Sequence, residues 1–128
     1  MVPVYSKELV NKLTNSGIEG IQYLSVKVLN FKEEVQNTFY IANFINYVDA
    51  FDFIKSDYNR FSDDFPNPNV RGAIAGVRKF VLLKDKLKGF DVIRLKEYNQ
   101  RFFVSEKFVD VFEKNNFTGY SFREVELV

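Results

Sequence analysis

The chain contains no cysteine and no histidine. Without a thiol or an imidazole it can form no disulfide, no Cys–His or Ser–His–Asp catalytic group, and no zinc site built from those ligands. The absence of cysteine also fits a reducing compartment, where disulfides do not persist. These two absences exclude the commonest nucleophilic enzymes and the structural zinc proteins.

Long apolar runs and phosphate-binding glycine motifs are also missing. The first ten residues lack the basic start and apolar centre of a signal peptide, and no run approaches the roughly 20 apolar residues of a membrane span. Gly72 and Gly76 lack the third glycine of a dinucleotide fingerprint and the Gly-Lys-Ser/Thr ending of a phosphate loop. We therefore expect a cytoplasmic protein with no membrane partner and no cofactor.

Aromatic residues, in contrast, are abundant. The 128 residues include fifteen phenylalanines and seven tyrosines, and 46% of the chain is hydrophobic. Burial of so much apolar area offsets the conformational entropy lost on folding, and a chain of this length suits one hydrophobic core. We expect residues 1–128 to form a single domain.

The spacing of apolar residues predicts an α+β fold, a mostly antiparallel sheet with two short helices packed on it. A helix over about 6–16 begins at Ser6 and stops at Gly17, and a second begins at Ser105. Alternation from Ile21 predicts a strand whose apolar face is formed by Leu24, Val26 and Val28. Further strands are predicted over 38–48, 77–83, 91–95, 101–104 and 120–125, with the longest loop over 56–72.

Residues 6–24 and 105–123 form a possible internal pseudo-repeat at an offset of 99 residues. Each copy has a serine, apolar residues three, four and seven positions later, then Gly or Asn, and finally a glycine before a predicted strand. Each of these residues suits the backbone conformation at its position, from the serine at the N-cap to the Gly or Asn in the left-handed conformation after the helix. The pattern leaves two origins open, a duplication or a helix-to-strand connection that arose twice.

Charge is divided along the chain although the total is nearly balanced, with 18 Lys and Arg against 17 Asp and Glu. Residues 49–64 have a net charge of −3, and residues 71–101 have a net charge of +6. An acidic region can attract a basic protein partner. We interpret the basic side chains as the solvent-facing side of a sheet, which does not favour nucleic acid as a partner; they include Arg78, Lys79, Arg94, Lys96 and Arg101.

The acidic segment and the aromatic residues beside it are the predicted partner-binding site, because aromatic anchors next to charge are typical of interfaces. The members are Asp49, Asp52, Asp57, Asp63, Asp64, Tyr47, Phe51, Tyr58 and Phe61. The same aspartates could bind a divalent cation or act as an acid–base pair, but no glycine lies between Asp49 and Asp64 to form a calcium loop. We assign no catalytic, cofactor-binding or metal-binding residue.

Three stretches, 4–28, 39–58 and 90–127, together resemble the immunity protein eleven family of bacterial polymorphic toxin systems. The most specific parts are the Asp91–Arg94 strand, the Val104–Phe108 helix start and the Thr118–Phe122 end. The chain is similar to the C-terminal two-thirds of the family pattern and could be a fragment of a longer family domain. Among the shared positions, Asp49, Asp52 and Arg94 are not explained by folding alone, so Arg94 joins the predicted site.

The resemblance implies a bacterial, cytoplasmic, non-catalytic protein that binds and neutralises a cognate protein toxin by occluding it. Two other functions stay open at this point. One is a divalent-metal-binding or carboxylate-based enzyme domain, and the other is an accessory scaffold domain. The sequence predicts neither the toxin nor the oligomeric state.

Overall fold

A computed structural model describes residues 2–32 and 35–128 of the chain. Within these ranges it contains two α-helices and ten strands. The helices are α1 (Lys7–Asn15) and α2 (Glu106–Lys114). The strands are β1 (Val4–Ser6), β2 (Ile21–Leu29), β3 (Val35–Phe44), β4 (Tyr47–Val48), β5 (Asp57–Arg60), β6 (Ile74–Lys79), β7 (Val81–Leu82), β8 (Val92–Leu95), β9 (Phe102–Val104) and β10 (Glu126–Leu127). The predicted α+β class is confirmed.

The strands form four small sheets rather than one, and most pairs are antiparallel. β3 lies between β1 and β2, and β8 lies between β4 and β9. β5 pairs with β6 in antiparallel fashion, whereas β4 pairs with β8 and β10 with β7 in parallel fashion. None of the helices in the described ranges is long and apolar enough to cross a membrane.

Both helices begin at the predicted serines. Ser6 Oγ accepts a hydrogen bond from the Leu9 amide, and Ser105 Oγ accepts one from the Phe108 amide, each at 3.2 Å. These bonds satisfy amide groups that have no partner within the helix. The serine therefore determines where each helix starts.

The two helices also end in the same way. The amide of Ile18 donates to Leu13 O and that of Phe117 donates to Phe112 O, each at 3.1 Å. The residue before each donor is left-handed, with φ 75° at Gly17 and 54° at Asn116. The helical half of the pseudo-repeat is thus present in the structure.

The strand half of the pseudo-repeat is not shared. β2 follows α1, but residues 117–125 after α2 are irregular, and only Glu126–Leu127 forms a strand. The predicted strand over 120–125 is therefore wrong. The physical reason is packing, since Phe117 and Phe122 contact the core formed around α2 instead of alternating between two faces.

The first core lies between the two helices and the inner face of β2 and β3. Its fully buried members include Leu13, Phe44, Val92 and Phe108. The second core lies under β4, β6, β7 and β8, and its members are Val48, Ala50, Phe51, Ile74, Leu82, Ile93 and Leu95. Because alternate residues of β8 point into different cores, this strand joins them.

The predicted apolar face of β2 is wrong. Leu24 and Val28 are 47% and 42% exposed, whereas Ile21 and Tyr23 pack against the first core. The neighbouring strand explains the orientation, because Ile21 pairs with Phe44 and Tyr23 pairs with Ala42, and both partners are buried. Both faces of β2 carry apolar residues, so alternation alone does not identify the covered one.

The predicted loop over 56–72 is partly wrong, because β5 (Asp57–Arg60) lies inside it. The polar sequence Asp-Tyr-Asn-Arg gives no strand signal by itself. Pairing with β6, interrupted by two register shifts, holds it extended. From residue 61 to 73 the chain is irregular except for a 3-10 helix over Pro68–Val70, as the two prolines predict.

Candidate functional site

The turn over residues 51–56 is fastened to β7. The Asp52 amide donates to Val81 O at 2.9 Å, and Ser56 Oγ accepts from the Val81 amide at 3.0 Å. Asp52 Oδ1 accepts from the amides of Ile54 and Lys55 at 2.8 and 2.9 Å, so this carboxylate closes the turn. The result is a fixed turn that holds Ile54 at its tip, where the side chain is 93% exposed.

Beside the turn, three aromatic rings and one guanidinium form a cluster. The rings of Phe51, Phe53 and Tyr58 lie 5.0–5.7 Å apart, edge to face. The guanidinium carbon of Arg60 lies 5.1 Å from the Phe53 ring centre and 5.4 Å from that of Tyr58. Arg60 Nη1 also donates to Gly72 O at 2.7 Å, which holds the cation over the rings. Phe53, Tyr58 and Arg60 thus present a positioned aromatic and cationic surface.

The aspartates have different environments. Asp57 Oδ1 accepts from Arg78 Nη2 at 2.7 Å and from Nε at 3.0 Å, and this hydrogen bonding holds the pKa of Asp57 below its usual range. Both side chains of this pair are exposed. Asp49, Asp63 and Asp64 are also exposed, and no ion pair within the described ranges involves them. These three carboxylates are the ones available to a partner.

The acidic and basic stretches of the sequence do not form separate acidic and basic regions in the folded structure. β5 pairs with β6, which places Asp57 opposite Lys79 and beside Arg78. Residues 49–79 contain five aspartates and five cationic residues, so the joined region has no net charge. The expected acidic lobe is therefore corrected to a region of mixed charge, in which individual carboxylates act only at short range.

The aspartates do not converge as metal ligands would. Within residues 2–32 and 35–128, no three acidic side chains come close enough to hold a metal ion. Two cavities, of about 280 and 290 Å³, lie near Phe90 and Asp91 and not at the acidic segment. Among the described residues, the acidic segment therefore neither forms a metal-binding cluster nor lines either of these cavities.

Two predicted site residues are buried. Phe51 is 2% exposed in the second core, and Arg94 is 6% exposed. Arg94 Nη1 donates to Asn99 O at 3.0 Å, and its guanidinium lies about 6 Å from the ring centres of Phe44 and Phe102 (5.8 and 5.9 Å). The physical reason in both cases is packing, and neither side chain is placed to touch a partner directly.

Of the remaining predicted aromatic residues, Tyr47 is exposed on β4, while Tyr58 and Phe61 are half-buried. The Phe61 ring packs on that of Phe65, with centroids 4.7 Å apart. The sequence-based site omitted Phe53, Ile54 and Arg60. The sequence does contain a signal by which Ile54 could have been included, namely an apolar side chain in a polar turn. It contains no such signal for Arg60, because the stacking of this side chain on the rings depends on the fold.

The chain was also compared with known proteins. The family model described as Immunity protein family (Imm11) matches residues 3–127. The match covers nearly the whole chain, which corrects the narrower likeness to the C-terminal two-thirds of the family. No curated protein matches the sequence.

Proposed function

This chain belongs to the Imm11 immunity protein family, and on that premise we propose that it binds a cognate bacterial toxin in the cytoplasm and neutralises it by occlusion. The family match over residues 3–127 is the single observation that carries the proposal. Neutralisation of this kind requires a complementary surface and no turnover. In this proposal the protein acts as a stoichiometric inhibitor.

The proposed toxin-binding surface is the fixed turn and its surroundings. Ile54 and Phe53 supply apolar contact, and Arg60 is already held in place, so little side-chain entropy is lost when a partner binds. An apolar centre with a polar rim is typical of protein interfaces. Asp52 and Asp57 shape this surface through their hydrogen bonds. The surface also keeps six residues of the sequence prediction: Asp49, Asp63, Asp64, Tyr47, Tyr58 and Phe61.

The first experiment is a pull-down with the full purified chain against the polypeptides encoded next to it, followed by co-expression to test protection of growth. We expect one neighbour to bind one-to-one and to be toxic when expressed alone. If no neighbour binds and none is toxic, the immunity proposal is wrong.

The surface is tested on that toxin by a triple variant, Asp49→Asn/Asp63→Asn/Asp64→Asn. Removing three available carboxylates should weaken binding about tenfold and make it less dependent on salt, because their short-range contacts with cationic groups of the toxin are lost. The matched control, Asp85→Asn/Glu113→Gln/Glu124→Gln, removes three exposed charges elsewhere and should keep wild-type affinity. Equal affinities for both triple variants would contradict the proposed surface while leaving the immunity function intact.

A further inference from the structure

β2 is an edge strand with one open side. It pairs with β3 on its other side, and no further strand of the described ranges lies beside it. The opposite edge of this sheet is β1, which has three residues, whereas β2 has nine. The sheet therefore ends on the β2 side in one long edge.

The hydrogen bonds of β3 show which residues of β2 face that edge. In an antiparallel pair, the amide and carbonyl of one residue point to the same side, and successive residues alternate between the two sides. The Ile45 amide donates to Gly20 O at 3.1 Å, on the β2 side. The Ala42 amide donates to Pro3 O at 2.9 Å, on the β1 side. Tyr23, the partner of Ala42 in β2, therefore directs its amide and carbonyl away from β3.

By the same alternation, Ile21, Ser25 and Lys27 also direct their backbone groups away from β3. With those of Tyr23, these groups form the open edge. In the part of the chain that the structure describes, no backbone–backbone hydrogen bond uses them. Ser25 and Lys27 are exposed residues, so this part of the open edge is accessible to another chain.

The open edge has few of the features that prevent an edge strand from pairing with another chain. Such strands are usually protected by proline, bulges, several charges or a covering segment. From Ile21 to Lys27 the strand has no proline and a regular register with β3, which shifts only between Val28 and Leu29. Lys27 is its one charged residue. An edge of this kind is suited to accept a further strand, whose backbone completes the hydrogen bonds.

The side chains beside the open edge restrict what that strand can be. Leu24 and Val28 lie on one side of β2 and are 47% and 42% exposed, so apolar residues of a neighbouring strand would pack beside them. Lys27 lies on the other side, forms no ion pair among the described residues, and favours a carboxylate across from it. β2 contains no acidic residue, so a second copy of β2 cannot supply that carboxylate.

We propose that the open edge accepts an extended segment of the toxin as a further strand of the sheet β1–β3–β2. The segment has apolar residues on the side of Leu24 and an acidic residue across from Lys27. Its backbone forms hydrogen bonds with the outward groups of Tyr23, Ser25 and Lys27, which supply affinity, while its side chains supply specificity. The inference rests on the proposed toxin binding but not on the surface around the 51–56 turn.

The test is amide hydrogen exchange of the full chain, alone and bound to the toxin identified by pull-down. We expect the amides of Tyr23, Ser25 and Lys27 to exchange quickly in the free chain and at least tenfold more slowly in the complex. The amides of Leu24 and Val26 point to β3, so they should be protected in both states and serve as the internal control. Unchanged exchange of the three outward amides in the complex overturns the proposal.

Ser25→Pro tests the same contact by removing one outward amide. Proline is compatible with an edge strand where its nitrogen faces away from the neighbouring strand, so pairing with β3 should remain. We expect toxin affinity to fall at least tenfold, whereas the matched variant Ser25→Ala keeps the amide and should bind like the wild type. Circular dichroism establishes whether Ser25→Pro is folded, and hydrogen exchange of the wild-type complex decides the matter if it is not.

The outcomes separate the added strand from the immunity function. If the wild-type chain binds a toxin and folded Ser25→Pro binds it equally well, the added strand is wrong and the immunity function stands. If no neighbour binds the wild-type chain, both are wrong. Protection of the outward amides in the free chain, together with a dimer in sedimentation equilibrium, would assign the open edge to a second copy and overturn the proposal.

Discussion

At the scale of single residues, burial gives two tyrosines an unusual environment. Burial raises the pKa of Tyr5, with a further contribution from the neighbouring Tyr23, and burial also raises the pKa of Tyr23. The Tyr23 hydroxyl is buried and makes no hydrogen bond within the described part of the chain. A buried hydroxyl without a partner loses its hydration and gains nothing in return.

Replacing Tyr23 with phenylalanine should therefore leave stability at pH 7 unchanged or raise it by up to about 1 kcal/mol. The raised pKa gives a second expectation. Above the unfolded-state pKa of about 10, the unfolded chain releases the tyrosine protons more readily than the folded chain, so stability falls as pH rises. Tyr23→Phe should reduce that fall.

Urea unfolding at pH 7 and at a series of alkaline pH values measures both effects. A neutral-pH loss of more than about 1 kcal/mol would mean that the hydroxyl has a hydrogen-bond partner after all. Tyr5→Phe should likewise reduce the loss of stability at alkaline pH, because burial raises the pKa of that hydroxyl too.

At the scale of elements, the two helices share one construction but have different neighbours. Both serines accept the same hydrogen bond from the third residue along. Ser105 Oγ in addition donates to Asp91 Oδ1 at 2.8 Å, and its amide donates to Asp91 O at 2.8 Å. The cap of α2 therefore also ties the helix to the start of β8.

Ser6→Ala should lower the free energy of unfolding by about 1 kcal/mol, the usual value of an N-cap. Ser105→Ala should lower it by about 2 kcal/mol, because it also leaves the Asp91 carboxylate without that donor. Ser62→Ala, at an exposed position outside helices and strands, is the control and should stay within about 0.5 kcal/mol of the wild type. Chemical denaturation measures all three, and equal losses for Ser6 and Ser105 would contradict the structural difference.

At the scale of the whole molecule, β8 contributes residues to both cores, and we expect the two cores to unfold together. Val92 belongs to the first core, and Ile93 and Leu95 to the second. A strand of four consecutive buried residues cannot leave one core without disturbing the other. We therefore expect the small sheets to unfold in one cooperative transition.

A matched pair of substitutions tests this cooperativity, since Leu13 and Leu95 are both fully buried, one in each core. Each Leu→Ala change should lower the free energy of unfolding by roughly 2–5 kcal/mol and should shift a single unfolding transition common to both cores. Far-ultraviolet circular dichroism and tyrosine fluorescence should then give coincident unfolding curves. An extra, earlier transition in either variant would show that the cores unfold separately.

Local features were predictable from the sequence. Ser6, Ser105, Gly17 and Asn116 determine where the helices start and stop, because caps and left-handed residues act on the few backbone groups next to them. The α+β class follows from the spacing of apolar residues, because the periods of helix and strand are set by local backbone geometry. The family likeness was also readable from the chain alone.

Tertiary structure decided what depends on distant partners. It chose which apolar face of β2 is covered, and it made a strand of the polar segment Asp57–Arg60 by pairing it with β6. The same pairing brought cations to the aspartates and placed Arg60 over aromatic rings, while packing buried Phe51 and Arg94. Composition and spacing along the chain do not contain these results, because each depends on residues far apart in sequence that meet only in the folded state.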